Sequence, residues 1–159
     1  MTLYAADTNV SVSKSKAEIE SILERYGASQ FMSGWDASRA VIGFTMPVGD
    51  DVRQVKFLLS MPDKSARAFT HHSKGMRTNE AALKAWQQAC RQRWRALALV
   101  IKAKLEAVSA GISIFEDEFL ANIVMHDGRT VSDHVRPRLA QIYQGNLQPL
   151  LPEFTGDAN

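Results

Sequence analysis

Apolar residues recur every three or four positions at Ile19, Ile22, Leu23 and Tyr26, the spacing of one face of an α-helix. Ser13 or Ser15 is placed to cap this helix, Glu18 completes a capping box from Ser15, and Gly27 is placed to end it. The period then changes to two. Residues 29–35 read as a strand, Asp36-Ala37-Ser38 as a turn, and residues 39–46 (RAVIGFTM) as the clearest strand in the chain. Residues 47–51 read as a second turn because they hold Pro, Gly and two Asp. Residues 52–60 alternate apolar and polar side chains, as a strand with one buried and one wet face does, and Pro62 stops them. Three antiparallel strands in a meander follow from these runs. Residues 61–78 show no sustained period and read as a mobile basic loop, a kind of segment that is usually functional or disordered.

The dominant pattern comes next. Thr78 or Asn79 is placed to cap a helix running to about Ala110, with Gly111 as its stop. Trp86, Cys90, Trp94, Leu97, Ile101, Leu105 and Val108 form one apolar stripe along it. Lys84, Arg91, Arg95 and Lys102 share a second stripe about 120° away, and Arg93 and Lys104 lie on the opposite flank of the seam. Residues 114–124 read as a shorter helix with Phe115, Phe119 and Ile123 on one side. Thr130 or Ser132 opens a last helix to about Gln144, ended by Gly145. Pro137 fits only the first turn of a helix, which predicts a late start near Asp133 or a kink. The expected architecture is a single α+β domain over residues 1–159, with flexible tails at 1–12 and 152–159. Its order is N-terminal helix, three-stranded antiparallel meander, long amphipathic helix, then two shorter C-terminal helices.

Composition narrows this picture. A hydrophobic content of 45% and a charged content of 23% are those of a folded domain. The single Cys90 excludes an intramolecular disulfide framework and a Cys-rich zinc site. The N-terminus lacks the basic and apolar regions of a secretory signal, and no run approaches the roughly 18 apolar residues of a membrane span. The expectation is a cytoplasmic protein, with no membrane partner and no cofactor. The net charge of +2 hides an asymmetry. From Arg53 to Lys104 there are twelve Lys or Arg against two acids, and the rest of the chain holds seven basic and fifteen acidic residues. A segregated positive field attracts polyanions locally.

The basic stripe is therefore the leading candidate for function. No acid lies between Arg91 and Lys104, whereas an ordinary solvated face mixes signs. Lys84, Arg91, Arg95 and Lys102 offer a row of cations to successive phosphates, and Lys64, Arg67, Lys74 and Arg77 of the loop are placed to close over it. Trp86 and Trp94 read as core rather than as stacking platforms, since they share the apolar stripe; the exposure of Trp35 is left open. His71-His72 lack a third metal ligand at useful spacing, and Glu116-Asp117-Glu118 do not share a helix face, so no metal site is expected. Cys90 reads as a buried, inert thiol. No phosphate-loop, dinucleotide, nucleophile-elbow or zinc-protease motif is present, which leaves a small enzyme using the His71/His72 loop as the least favoured class.

The run from Arg91 to Leu97 (RQRWRAL), its continuation Ile101-Lys102-Ala103-Lys104-Leu105-Glu106, the RAVIGFTM hairpin and the QPLLP ending resemble a group of small phage and prophage proteins. That resemblance covers most of the chain and implies a viral or prophage setting in a bacterial host. The order of helix, three-stranded meander and long basic helix is also similar to the core of Rad52-type single-strand annealing proteins. That likeness implies ring-forming oligomers holding single-stranded DNA in a basic groove beside the sheet, where Arg53 and Lys56 would join Arg91, Arg95 and Lys102. The leading expectation is a non-enzymatic phage protein binding nucleic acid, with single-stranded DNA favoured, in recombination or replication. The alternative is a protein-interaction module, such as a phage inhibitor of a host enzyme or defence system, whose partner is an acidic protein surface. A homo-oligomer is a further expectation, because a long apolar seam with two Trp can exceed what one small sheet covers.

Overall fold

The computed structural model describes residues 5 and 7–144. The Gly145 stop, the QPLLP segment and most of the expected tails lie outside them. The architecture is α+β, in the predicted order. Helix α1 spans Val12–Arg25 and is capped by Ser11, whose hydroxyl accepts from the Lys14 amide at 3.2 Å. Neither Ser13 nor Ser15 is the cap, and Ser15 is buried inside the helix. Tyr26 ends α1 and Gly27 follows at φ +93°, a conformation that favours glycine. The Ala28 amide then reaches back to the Leu23 carbonyl at 2.9 Å, closing a Schellman motif.

Strands β1 (Gln30–Trp35), β2 (Arg39–Val48) and β3 (Asp51–Ser60) form an antiparallel sheet in the order β1-β2-β3. The second turn is tighter than the Pro and Asp residues suggest. Only Gly49 and Asp50 separate β2 from β3, and Gly49 at φ +60° supplies the geometry of a two-residue hairpin. Pro47 thus belongs to β2, opposite Val52. β1 begins opposite Thr45, so the proline has no neighbour on that side and removes no β1–β2 hydrogen bond. Alternation puts Ala40, Ile42, Phe44 and Met46 of β2, with Val55 and Phe57 of β3, on one buried face.

Residues 61–78 are not structureless. They hold a short helix α2 (Arg67–Thr70) and a hairpin of β4 (His71–His72) and β5 (Gly75–Met76). Local turns hold this arm in shape: Asp63 accepts from the Ser65 amide and hydroxyl, and His72 Nδ1 accepts from the Lys74 amide. Helix α3 spans Asn79–Ser109 and is capped by Thr78, which accepts from the Ala81 amide at 3.2 Å. Cys90, Trp94, Leu97, Ala98, Ile101 and Leu105 are buried along its seam, beneath α1 and the sheet. Burial of one large apolar side chain contributes about 1.5–3 kcal/mol. The seam from Cys90 to Leu105 is therefore covered within the chain, while Trp86 and Val108 at its ends are half-buried.

Helix α4 is only Phe115–Phe119; a 3₁₀ turn, Leu120–Asn122, follows it. The predicted helix over 114–124 stops early because Ile123 pairs with Val55 instead, and the Val124 amide donates to the Gln54 carbonyl at 2.8 Å. Phe119 is fully buried, edge-on to Phe44 and Phe57 and stacked on Phe115. The last helix, α5 (Val131–Ile142), starts early rather than late, because Thr130 and Asp133 form a capping box. Pro137 lies inside it. The Asp133 carbonyl, which a residue at 137 would normally bond, instead accepts from Arg129 Nη2 at 3.1 Å. Among the described residues no helix is long and apolar enough to cross a membrane.

Candidate nucleic-acid interface

The expected basic stripe does not stand free. On α3, Lys84 pairs with Glu80 at 2.8 Å, the i,i+4 arrangement that a helix supports by itself. Arg91 donates from Nε to Gln88 Oε1 at 3.0 Å. Arg95 is ion-paired to Glu18 of α1, with both side chains largely covered. Lys102 alone of the four is exposed without a partner among the described residues. On the sheet, Arg53 is held between Glu116 at 3.3 Å and Asp51 at 3.6 Å, and Lys56 donates to the Gly128 carbonyl at 2.7 Å. In the arm, Arg77 donates to the His71 carbonyl, whereas Arg67 and Lys74 are exposed and their side chains have no partner among the described residues. Lys64 lies over the Trp86 ring, 5.2 Å from its centroid.

The structure instead brings the three tryptophans together. Trp35 at the end of β1, and Trp86 and Trp94 about two turns apart on one face of α3, line a single cleft of about 550 Å³. The first turns of α1 add Ser11, Val12 and Lys16; the β1–β2 hairpin adds Asp36, Ala37 and Ala40; α3 adds Gln87, Cys90 and Arg91; Met61 closes one end. Trp94 is core, at 2% exposure. Trp86 is half-buried and its indole N–H donates to the Pro62 carbonyl at 2.8 Å, which fixes its plane. Trp35 is 78% exposed at the mouth. The ammonium of Lys16 stands 4.7 Å from the Trp94 centroid, so the cleft carries a cation–π contact at each of its two α3 indoles.

The hairpin that presents Trp35 is locked by Asp36. Its Oδ1 accepts from the Ser38 amide at 2.8 Å, the Ser38 hydroxyl at 2.9 Å and the Arg39 amide at 2.9 Å. Its Oδ2 accepts from Arg39 Nε at 3.2 Å. These donors, the Ser38 amide foremost, hold the Asp36 carboxyl down to about 2, and Arg39 neutralises its charge beside the cleft. Burial pushes the Cys90 thiol up, against the weaker pull of Arg93 and Arg91, so this sulfur is a protonated wall group rather than a nucleophile.

A larger hollow, about 630 Å³, lies over the sheet between Gln30, Met32, Gln54 and Lys56. Its one lining cation is the Lys56 already bonded to Gly128, so it offers an anion little. His71 and His72 are engaged locally, through Thr70 and Lys74. No group of three metal-ligating side chains occurs among the described residues.

Of the ten residues predicted to meet an anion, Arg91 lines the cleft, Lys64 sits on one of its indoles, and Arg67 and Lys74 stand free on the arm. Lys84, Arg95, Arg53, Lys56 and Arg77 are tied to groups of the chain itself, and Lys102 lies beyond the cleft along α3. Sequence reasoning missed Lys16 and Gln87, which no motif marks, and left Trp35 open. The turn signal at Asp36-Ala37-Ser38 was the one cue that Trp35 sits at a hairpin end. Comparison with protein-family models, with curated proteins and with solved structures returns no match.

Proposed function

We propose that the protein binds single-stranded nucleic acid at the tryptophan cleft and the adjoining basic arm. One observation carries this reading: the uncovered Trp35 ring stands at the mouth of a cleft flanked by Lys16, Arg91 and the Lys64–Trp86 pair. Single strands are held by aromatic platforms for unstacked bases together with cations for the backbone. A duplex hides its base faces and cannot use Trp35. Arg67 and Lys74 extend the positive surface away from the cleft. A role in phage recombination or replication, the setting that the sequence resemblance implies, is part of the same proposal.

Fluorescence anisotropy with a labelled twenty-nucleotide single strand and the matching duplex tests it. The single strand should bind more tightly than the duplex. Three phosphate contacts, through Lys16, Lys64 and Arg91, give a slope of about −2 in log affinity against log salt, or roughly twentyfold weaker binding at 200 mM than at 50 mM. No binding to DNA or RNA at low salt would sink the proposal.

A protein partner is the second reading, and a different surface favours it. Helix α5 and the Tyr143 that ends it leave Val135, Leu139, Ile142 and Tyr143 exposed, and Leu120 lines one hollow with Val135 and Leu139. Capture from nuclease-treated host lysate separates the readings: partners that persist support a protein interface, and partners lost with the nuclease support nucleic acid.

A further inference from the structure

We infer that two copies of the chain pair through the free edge of β1, antiparallel and related by a two-fold axis, so that their sheets join into one. This concerns an edge of the sheet and does not rest on the nucleic-acid reading.

The two edges of the sheet differ. β3 is engaged on its outer side: Val55 pairs with Ile123, the Val124 amide donates to the Gln54 carbonyl at 2.8 Å, and Asn122 Nδ2 donates to the Lys56 carbonyl at 3.2 Å. It also carries Arg53 and Lys56. β1 has no such cover. The Asp36 amide donates to the Arg39 carbonyl at 2.8 Å, which sets the phase of the β1–β2 ladder. Gln30, Met32 and Gly34 therefore turn their backbone groups to β2, and Phe31, Ser33 and Trp35 turn theirs outward. Those outward groups have no backbone partner among the described residues. A sheet edge is normally blunted by charge, by proline or by a covering segment, and QFMSGW holds no charge and no proline.

A second β1 fits this edge. With Ser33 opposite its own copy on the axis, each Phe31 stands opposite the second copy's Trp35, and the three pairs exchange about six N–H···O bonds. Phe31 and Trp35 lie on one face of the sheet, since they oppose the buried Phe44 and Ala40 of β2. The exposed Trp35 thereby gains an aromatic cross-strand neighbour. Charge agrees with the same axis. Lys16, Glu20 and Glu24 follow at four-residue spacing on one stripe of α1. Lys16 shares the cleft with Trp35, whereas Glu20 and Glu24 line a hollow with Gln30 and Phe31. The axis brings the Trp35 end of one copy to the Phe31 end of the other, so each Lys16 approaches the second copy's Glu20 and Glu24. These two acids are exposed, while Glu18 is taken by Arg95. The pairing is isologous and closes at two copies.

Light scattering on the full chain, from about 1 µM to about 200 µM, tests the pairing, and the mass should rise towards twice 17.7 kDa. Ser33→Glu and Ser33→Lys, at an exposed position where circular dichroism checks the fold, each set like charges opposite one another on the axis. Each alone should weaken self-association at least about tenfold, and an equal mixture of the two should restore it to within about threefold of the wild type. Amide exchange on the wild type needs no variant: exchange at Phe31, Ser33 and Trp35 should slow as concentration rises. A wild type at the mass of one chain throughout overturns the inference, as does unchanged exchange at all three amides. Self-association undiminished in both variants places the contact elsewhere and overturns it too. Variants that weaken without recovery in the mixture exclude the two-fold register, and a mass well beyond two chains excludes a closed pair.

Discussion

Arg95 gives the sharpest separation between the charge pattern and the folded molecule. As one of four cations on a stripe it reads as a phosphate contact; in the fold it joins α3 to Glu18 of α1. The two side chains are 25% and 32% exposed, so the pair is partly shielded from water. Two unit charges in contact at such a surface attract by about 4 kcal/mol. Holding an Arg and a Glu in one rotamer each costs about 3 kcal/mol of side-chain entropy. The difference leaves about 1 kcal/mol, the upper end of what exposed pairs contribute. Arg95→Ala, Glu18→Ala and the double variant, each unfolded in urea, isolate that coupling as the departure from additivity. The expected result is a coupling of about 1 kcal/mol, reduced by added salt, and single-strand affinity for Arg95→Ala close to that of the wild type. Zero coupling together with a large loss of affinity would refute the reasoning, because Arg95 would then face the phosphates and not α1.

Other consequences follow from burial and from the hairpin lock. Trp94→Ala should cost about 3–5 kcal/mol in urea unfolding, as a buried aromatic does, whereas Trp35→Ala should change stability by less than about 0.5 kcal/mol; similar costs would contradict the division into core and platform. Asp36→Asn should lower the thermal midpoint at pH 7. The folded carboxyl titrates at about 2 against an ordinary 3.8, so its stabilisation is complete above 3.8 and disappears as pH falls through about 2. Melts at pH 7, 4 and 2 should show the wild type and variant converging only at the acid end, and a constant difference across that range would exclude the mechanism.

The elements with long, regular periods were legible in the sequence. The alternation through β2 and β3 and the 31 residues of α3 each repeat one rule often enough to outweigh local exceptions. The arm at 61–78 was not legible, because it is held by single side-chain-to-backbone bonds such as Asp63–Ser65, which have no period. The end of α4 was misjudged because Ile123 keeps helical spacing with Phe119 yet gains more as a partner of Val55, a contact 68 positions away in sequence. The same limit governs the site. A helical projection places Arg95 and Lys104 on their faces of α3 but is silent on the acids that meet them, Glu18 and Glu118, which come from other helices. Trp35 and Trp94 converge only because the sheet and α3 bring residues 59 positions apart into one cleft.

The most direct test of the cleft as a single-strand site is the tryptophan fluorescence of the wild type and of Trp35→Phe, titrated with a thymidine oligonucleotide at low salt. Bases stacking on an exposed indole quench it, so the wild type should show saturable quenching that added salt reverses. Trp35→Phe should lose most of that signal while anisotropy still records binding, because a phenyl ring also stacks. Binding by anisotropy with unchanged fluorescence in the wild type would contradict the account, placing the strand on the protein but away from the tryptophan cleft.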